Sequence, residues 1–199
     1  MSTENLKPVS TERSGQEELF GAVDRITSEL VELVSSFSDE EINEIPFEGS
    51  WTAAQTADHV RKSNNGIAQA LQMKGRVNER NADERVKELK EVFLDFETKL
   101  KSPQFILPGQ LGYNKKDLIE RLERSIERIK QERRNVDLSE IIDLTVLGTI
   151  SKMELLHFVI YHTQRHIHQL RNIFKTIKTK THGTDQSLSQ FSGNNRRSI

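Results

Sequence analysis

Apolar residues recur at steps of three and four along four stretches of the chain, which is the spacing of one helical face. The stretches cover residues 16–37, residues 51–73, residues 115–134 and residues 151–177. In the first of them the repeating positions are Leu19, Val23, Ile26, Leu30, Leu33, Val34 and Phe37. No segment shows the strict alternation that is typical of a half-buried β-strand. The pattern therefore predicts an all-α protein built on four amphipathic helices.

Three short segments have the form of a capping box, in which Ser or Thr is followed three residues later by Glu or Gln. The three pairs are Ser38 with Glu41, Thr52 with Gln55, and Ser151 with Glu154. They predict a short turn after the first helix and sharp starts for the second and fourth helices.

The connection between the second and third helices, residues 74–114, is long and irregular. Residues 83–96 could form one helix, but Pro103, Pro108 and Gly109 prevent the following segment from continuing it. A link of this length allows the second and third helices to run parallel, while the two other links suit antiparallel neighbours. We therefore predict a four-helix bundle with up-down-down-up order and a long crossover between helices 2 and 3.

The two ends of the chain are polar. Residues 1–14 are predicted to be a flexible N-terminal segment, and residues 178–199 a disordered C-terminal tail. This leaves a single bundle domain at residues 15–177.

Composition narrows the class of protein. Hydrophobic residues make up 34% of the chain and charged residues 30%, which suits helices with wide polar faces. The net charge of −1 gives no overall field that favours nucleic acid or an anionic membrane. The absence of cysteine excludes disulfides and thiolate metal ligands. No apolar run approaches the ~18 residues of a membrane span, and the N-terminus has no signal-peptide core. We expect a cytoplasmic protein that acts on a small molecule without a nucleic-acid or membrane partner, and a homodimer is compatible with the sequence.

Four of the six histidines fall within residues 157–168. His162 and His166 stand four apart on the apolar face of the fourth helix, where two imidazoles can share one metal ion. His157 and His168 project from other faces of that helix. The pair alone leaves two explanations open, because a buried imidazole can also be satisfied by hydrogen bonds to side chains or water.

His59, on the second helix, could supply a third ligand if that helix packs beside the fourth. Three protein ligands with one open position are the usual form of a catalytic zinc site, although nickel, iron and copper also accept imidazole. Thr163 replaces the glutamate that follows the first histidine of a zincin protease, so zincin-like proteolysis is disfavoured. Asp58 points away from the pair and Glu154 is explained as a cap, so no general base is identified.

Two segments, residues 51–59 and residues 158–170, together resemble the DinB/YfiT-like superfamily. The first reads Trp-Thr-Ala-Ala-Gln-Thr-Ala-Asp-His, and the second contains His-Thr-Gln-Arg-His. The resemblance covers residues 15–177 and implies a four-helix bundle with the same up-down-down-up order. It also implies a site for one divalent metal ion on three histidines, which carry over to His59, His162 and His166.

Zinc is the metal expected first, with nickel, iron or manganese as alternatives. The superfamily includes S-transferases that use low-molecular-weight thiols and proteins described as metal-dependent hydrolases. The resemblance therefore implies a metal-dependent enzyme of one of these two kinds, with a low-molecular-weight thiol as cofactor in the first. Two alternatives stay open: a non-catalytic metal-binding or interaction bundle with a structural or vestigial site, and a helical scaffold with histidines in its core.

Overall fold

The computed structural model describes residues 9–77 and 79–192, with side chains over residues 13–77 and 79–180. Four long helices make up most of this part of the chain, and a fifth, short helix lies in the crossover. The helices are α1 (Val9–Ser35), α2 (Ala53–Gln72), the short α3 (Val86–Leu94), α4 (Lys115–Gln131) and α5 (Lys152–Ser192). The predicted all-α class is confirmed.

All three predicted capping boxes form. In the box that starts α2, the Gln55 backbone N–H donates to Thr52 Oγ1 and the Thr52 N–H donates to Gln55 Oε1, both at 3.1 Å. The box at Ser38 leads into a single 3₁₀ turn at Glu41–Asn43. The box at Ser151 starts α5. Each box satisfies backbone N–H groups that the first helical turn would otherwise leave unpaired.

The order of the long helices follows from two clusters of buried apolar residues, one at each end of the bundle. Phe20 of α1 and Leu155 of α5 share one cluster, and residues later in both helices share the other, so α1 and α5 run parallel. Ala57 near the start of α2 lies in the second cluster and Leu71 near its end lies in the first, so α2 runs the opposite way.

Helix α4 has the same direction as α2. Leu118 near its start belongs to the second cluster and Ile129 near its end to the first. An ion pair between Lys130 and Asp24, with 3.2 Å between nitrogen and oxygen, joins the end of α4 to the middle of α1. The predicted up-down-down-up order is therefore confirmed.

The prediction that the chain contains no strand is wrong at one place. Strands β1 (Ile141–Leu144) and β2 (Gly148–Ser151) form an antiparallel hairpin in which Ile142 lies opposite Ile150. Each strand has four residues, too few for an alternating pattern to stand out, and Gly148 has a positive φ of 68° that suits the turn. The hairpin is stabilised by tertiary contacts, because Ile142 and Ile150 are buried in the first apolar cluster.

Both terminal helices are longer than predicted. Helix α1 begins at Val9 and α5 continues to Ser192, so residues 9–14 and 178–192 are helical. Lys178 supports the extension of α5, because its Nζ lies 2.5 Å from Glu41 Oε1. The rest of the two predicted terminal segments, residues 1–8 and 193–199, lies outside the described residues. The domain limits at residues 15 and 177 stay a prediction.

The crossover folds over α2 and α5. Helix α3 is shorter than the predicted residues 83–96 at both ends, and at its C-terminal end Arg165 of α5 donates to the carbonyl oxygens of Phe93 and Asp95. A 3₁₀ turn at Gln104–Ile106 follows, and it lies against α2. Over residues 9–77 and 79–192, none of the helices combines the length and apolar character that a bilayer crossing requires.

Candidate metal centre

Three imidazoles meet between α2 and α5. The Nε2 atom of His162 lies 3.2 Å from Nε2 of His59 and 3.1 Å from Nε2 of His166. The exposed fractions of His59, His162 and His166 are 2%, 5% and 7%. The structure thus brings all three sequence-predicted residues together and buries them, with ligand atoms within 4.8 Å of one another.

The tautomers of two of these imidazoles follow from their other ring nitrogens. His59 Nδ1 lies 3.0 Å from the carbonyl oxygen of Ile106, and His166 Nδ1 lies 3.0 Å from Oε1 of Gln169. Both oxygens accept, so each Nδ1 carries a proton and each Nε2 of a neutral ring presents a lone pair. Both lone pairs face Nε2 of His162, which has at most one hydrogen to donate. A cation between the three nitrogens would satisfy all of them.

Burial keeps these imidazoles neutral. Burial, followed by the charge of a protonated His59, lowers the pKa of His166 to about 3. Burial also lowers the pKa of His162 far below its usual value, with His166 and His59 adding to the effect. The pKa of His59 is lowered by burial too. Neutral imidazole is the form that binds a metal.

Residues on both sides of His59 hold the crossover against α2. Asp58 accepts hydrogen bonds from the Gly109 N–H at 3.3 Å and from the Tyr113 hydroxyl at 3.1 Å. Lys62 Nζ donates to the carbonyl oxygen of Leu107 at 2.5 Å. These contacts fix the segment that carries the Ile106 carbonyl, and that carbonyl in turn orients the imidazole of His59.

The ionisation of Asp58 suits this role. Burial by itself raises the pKa of Asp58, but the hydrogen bond and charge of Arg61, the charge of Lys62 and the Gly109 N–H together lower it. Burial, and then the charge of Asp58, raises the pKa of Tyr113 to about 12, so Tyr113 stays a hydrogen-bond donor. Asp58 is bonded to the crossover and not to the histidine pair, in agreement with the predicted direction of its side chain. Its hydrogen bonds to residues 109 and 113 cannot be predicted from a local pattern, because they span about fifty residues.

Aromatic rings surround the histidines. The Phe158 ring stacks on His162 with centroids 5.0 Å apart, and the Phe93 ring meets the same imidazole edge-on at 5.9 Å. The centroid of Trp51 lies 5.1 Å from that of His59. This contact brings the first residue of the 51–59 motif against its last one. These rings remove water from around the imidazoles and limit their motion.

A cavity of about 570 Å³ adjoins the three histidines. Its remaining walls come from α3, the crossover and the tip of the hairpin, and they are mostly apolar. Phe93 and Phe105 line this cavity, while Phe96 stacks on His168 with centroids 4.2 Å apart.

The other candidate residues have structural roles. His157 and His168 lie outside the cluster, His157 against Tyr161 and His168 against Phe96. Glu154 caps α5 as expected, and it also accepts two hydrogen bonds of 2.7 Å from the guanidinium of Arg80. Neither histidine nor Glu154 is placed to take part in chemistry at the cluster.

No unpaired general base lines the cavity within the part of the chain that the structure describes. Glu88 is the one carboxylate in the described lining, and it is paired with Arg85 at 2.9 Å. Thr163, at the position of the zincin glutamate, is fully buried and its hydroxyl has no hydrogen-bond partner among the described residues. The site therefore offers three imidazoles and an apolar cavity, without a carboxylate base.

The fold is a four-helix bundle, and two of its long helices, α2 and α5, bring three buried imidazoles together beside a cavity. The model of the DinB superfamily matches residues 22–170, well over half of the chain and all three histidines. The chain therefore belongs to the DinB superfamily, and the resemblance predicted from the sequence is confirmed.

Similar proteins agree with this placement. The uncharacterized protein YuaE of Bacillus subtilis (strain 168) is 24% identical over 156 residues, which cover 73% of this chain and 90% of YuaE. The solved structure of YfiT from Bacillus subtilis, described as a probable metal-dependent hydrolase with an unusual four-helix bundle topology, matches with a TM-score of 0.56 at 12% identity, over 89% of this chain and 93% of YfiT. The four-helix bundle protein TT2238 matches with a TM-score of 0.51 at 15% identity, over 79% of this chain and 98% of TT2238. At these identities the two structures show a shared fold.

Proposed function

We propose that this protein binds one divalent metal ion, zinc in the first instance, on Nε2 of His59, His162 and His166. The observation that carries the proposal is the convergence of three buried Nε2 atoms, two of which belong to rings whose Nδ1 is held by an oxygen acceptor. Metal-binding histidines characteristically donate their other ring N–H in this way, which fixes the tautomer and the ring orientation. Nickel, iron and manganese are alternatives for the same donor set.

We further propose that the site is catalytic and acts on a small molecule. Structural zinc sites are closed by four protein ligands, whereas this cluster has three and adjoins a cavity of about 570 Å³. A bound divalent ion would supply Lewis acidity and lower the pKa of a coordinated water or thiol. The residues of the chain orient the ligands through Ile106 and Gln169 and exclude water through Phe93 and Phe158.

Two reaction classes suit this arrangement: hydrolysis, and transfer of a low-molecular-weight thiol. Neither needs a separate carboxylate base when the nucleophile is deprotonated at a metal ion, and the described cavity lining holds no unpaired carboxylate. The description of YfiT as a probable metal-dependent hydrolase supports the first class. Superfamily membership is compatible with both.

Metal analysis of the protein purified without a histidine tag tests the proposal. We expect about one divalent ion per chain, and loss of that ion in His162→Ala. His168→Ala is the matched control, because this histidine is exposed and stacks on Phe96 outside the cluster. A metal content near zero that His162→Ala leaves unchanged would favour the helical scaffold.

Activity assays then separate a catalytic site from a structural one. Zinc-loaded and chelated protein are compared in thiol transfer to an electrophile and in hydrolysis of small esters and amides. Turnover that disappears on chelation and returns with zinc supports an enzyme. Stoichiometric metal without turnover in either assay would point to a non-catalytic metal-binding bundle.

A further inference from the structure

The mouth of the histidine cavity is apolar and exposed. Val92, Leu100, Phe105 and Val146 line the cavity, and their exposed fractions are 42%, 39%, 72% and 52%. They come from three separate segments: α3, the crossover and the hairpin tip. Exposed apolar side chains that gather at one place usually mark a surface that binds something. These exposed side chains are continuous with the apolar walls of the cavity.

The charges in the described lining have an excess of positive sign. Arg85, Lys101 and Arg165 are set against the single carboxylate of Glu88. Arg165 directs its guanidinium to the carbonyl oxygens of Asp95 and Thr98 instead of a carboxylate. Arg165 lines the cavity together with His162 and His166 and directly precedes the latter in the sequence. An anionic group is therefore favoured at the histidine end of the cavity, and a cationic group is disfavoured.

Most guanidinium N–H groups of Arg85 and Arg165 already donate to protein acceptors, so few remain to bind an anionic ligand directly. Arg85 uses its guanidinium on Glu88 and on the carbonyl oxygens of Leu147 and Thr149. Arg165 is committed to the crossover backbone. The exposed Lys101 is the remaining cation of the described lining, so a ligand with several carboxylates would have to bury some of its charges against apolar walls, which is costly when they are not paired.

We propose that the substrate is a small amphipathic molecule, with one anionic donor group directed at the three histidines and an apolar body held against Phe93, Phe105 and Val146. This inference rests on the proposed function, since the donor group is placed at the proposed metal ion. A cavity of about 570 Å³ lies within the range that holds small molecules and is large enough for a chain of six to eight carbons with its head group.

Straight-chain thiols from ethanethiol to octanethiol are the probes, titrated into zinc-loaded protein by calorimetry. Each added methylene is expected to tighten binding by up to about fourfold until the cavity is filled. As a probe of matched length, 6-mercaptohexanol is expected to bind about tenfold more weakly than hexanethiol, because its hydroxyl would enter an apolar wall. Equal affinity across the series, or equal binding of the two six-carbon thiols, would overturn the inference.

Two exposed phenylalanines provide a matched pair of variants. Phe105→Ser is expected to weaken hexanethiol binding about fivefold and to leave ethanethiol binding and zinc content unchanged. Phe47, 60% exposed and outside the cavity lining, serves as the control, and Phe47→Ser should change none of these quantities. Identical effects of the two substitutions would count against a tail site at the cavity mouth. A wild-type chain that takes up no zinc overturns the proposed function and this inference together, whereas a zinc-loaded chain without chain-length dependence overturns the inference alone.

Discussion

Among the residues that the structure describes, the groove between α1 and α4 and the histidine cavity are similar in size but differ in their candidate chemistry. The groove between α1 and α4 has a volume of about 620 Å³ and the histidine cavity about 570 Å³. The α1–α4 groove is lined by charged side chains that include Glu32, Glu123, Arg124 and Lys130, and the other by buried imidazoles and apolar walls. Size alone therefore does not identify a functional site. Charged groups on an open surface stay hydrated, whereas a buried imidazole costs free energy unless its ring nitrogens are hydrogen-bonded or bound to a metal ion.

The polar side chains of the two regions also differ in their hydrogen-bond and ion-pair partners. In the α1–α4 groove, Thr27 donates to its own helix at Val23 O, 2.7 Å away, and Lys130 pairs with Asp24. Around the histidine cavity, the buried carboxylates of Asp58 and Glu154 accept hydrogen bonds from the crossover. The α1–α4 groove is therefore held by a hydrogen bond within one helix and a partly exposed ion pair between two helices, and the cavity by buried carboxylates bonded to the crossover. The substitutions below test that contrast.

Loss of Glu154 should have the largest effect on stability. This carboxylate is fully buried and accepts hydrogen bonds from Arg80, from the Arg85 N–H and from the Ser151 N–H, so it joins α3, the hairpin and α5. Glu154→Ala leaves the Arg80 charge without its partner and is expected to lower the free energy of unfolding by about 3 kcal/mol. Urea denaturation measures this change.

Glu123→Ala, in the α1–α4 groove, is the control for Glu154→Ala and should change the free energy of unfolding by less than about 0.5 kcal/mol. Similar losses in the two variants would contradict the contrast between the regions.

The pH dependence of stability provides a second test of Glu154. Burial by itself raises the pKa of Glu154, but Arg80 and the two backbone N–H groups lower it below the usual 4.5. Because the folded pKa is the lower one, the stabilisation is present above pH 4.5 and is lost as the pH falls through the folded value. Glu154→Gln should flatten this part of the stability curve.

Asp58→Asn should weaken the site without removing a proposed ligand. The change removes the negative charge that pairs with Arg61 and Lys62 and weakens the acceptor of the Tyr113 hydroxyl. The crossover should then hold the Ile106 carbonyl less firmly against His59. We expect about tenfold weaker zinc affinity, the usual effect of disturbing a partner of a metal ligand. Competition with a zinc chelator measures it. The control is Glu120→Gln in the α1–α4 groove, and an equal loss of affinity in that variant would contradict a positioning role for Asp58.

The smallest effect is expected for Thr163→Val. The Thr163 hydroxyl is buried with no hydrogen-bond partner among the described residues, so replacing it by a methyl group should raise the free energy of unfolding by about 1 kcal/mol. The matched variant is Thr27→Val, which removes the hydroxyl bonded to Val23 O and should lower the free energy by about 1 kcal/mol. Thermal and urea denaturation of the two variants give the sign of each change. If Thr163→Val also destabilises the protein or removes bound zinc, its hydroxyl has a role that these contacts do not reveal.

The features that depend on neighbouring residues could be predicted from the sequence. Capping boxes at Ser38, Thr52 and Ser151 marked helix starts, because a cap is completed within four residues. The three-to-four spacing put His162 and His166 on one buried face, because helical periodicity is a local property.

The features that depend on contacts between distant segments could be seen only in the tertiary structure. His59 meets His162 across 103 residues, and the Ile106 carbonyl that orients His59 comes from a loop without a periodic pattern. The hairpin at Ile141–Leu144 and Gly148–Ser151 exists because its apolar residues are buried against the bundle, and four-residue strands carry no signal of their own. The cavity is made by α3, the crossover and the hairpin tip together, so its apolar mouth could not be predicted from any one of them. Local rules predicted the helices and the candidate ligands, while burial and long-range hydrogen bonds set how those ligands meet and what lies beside them.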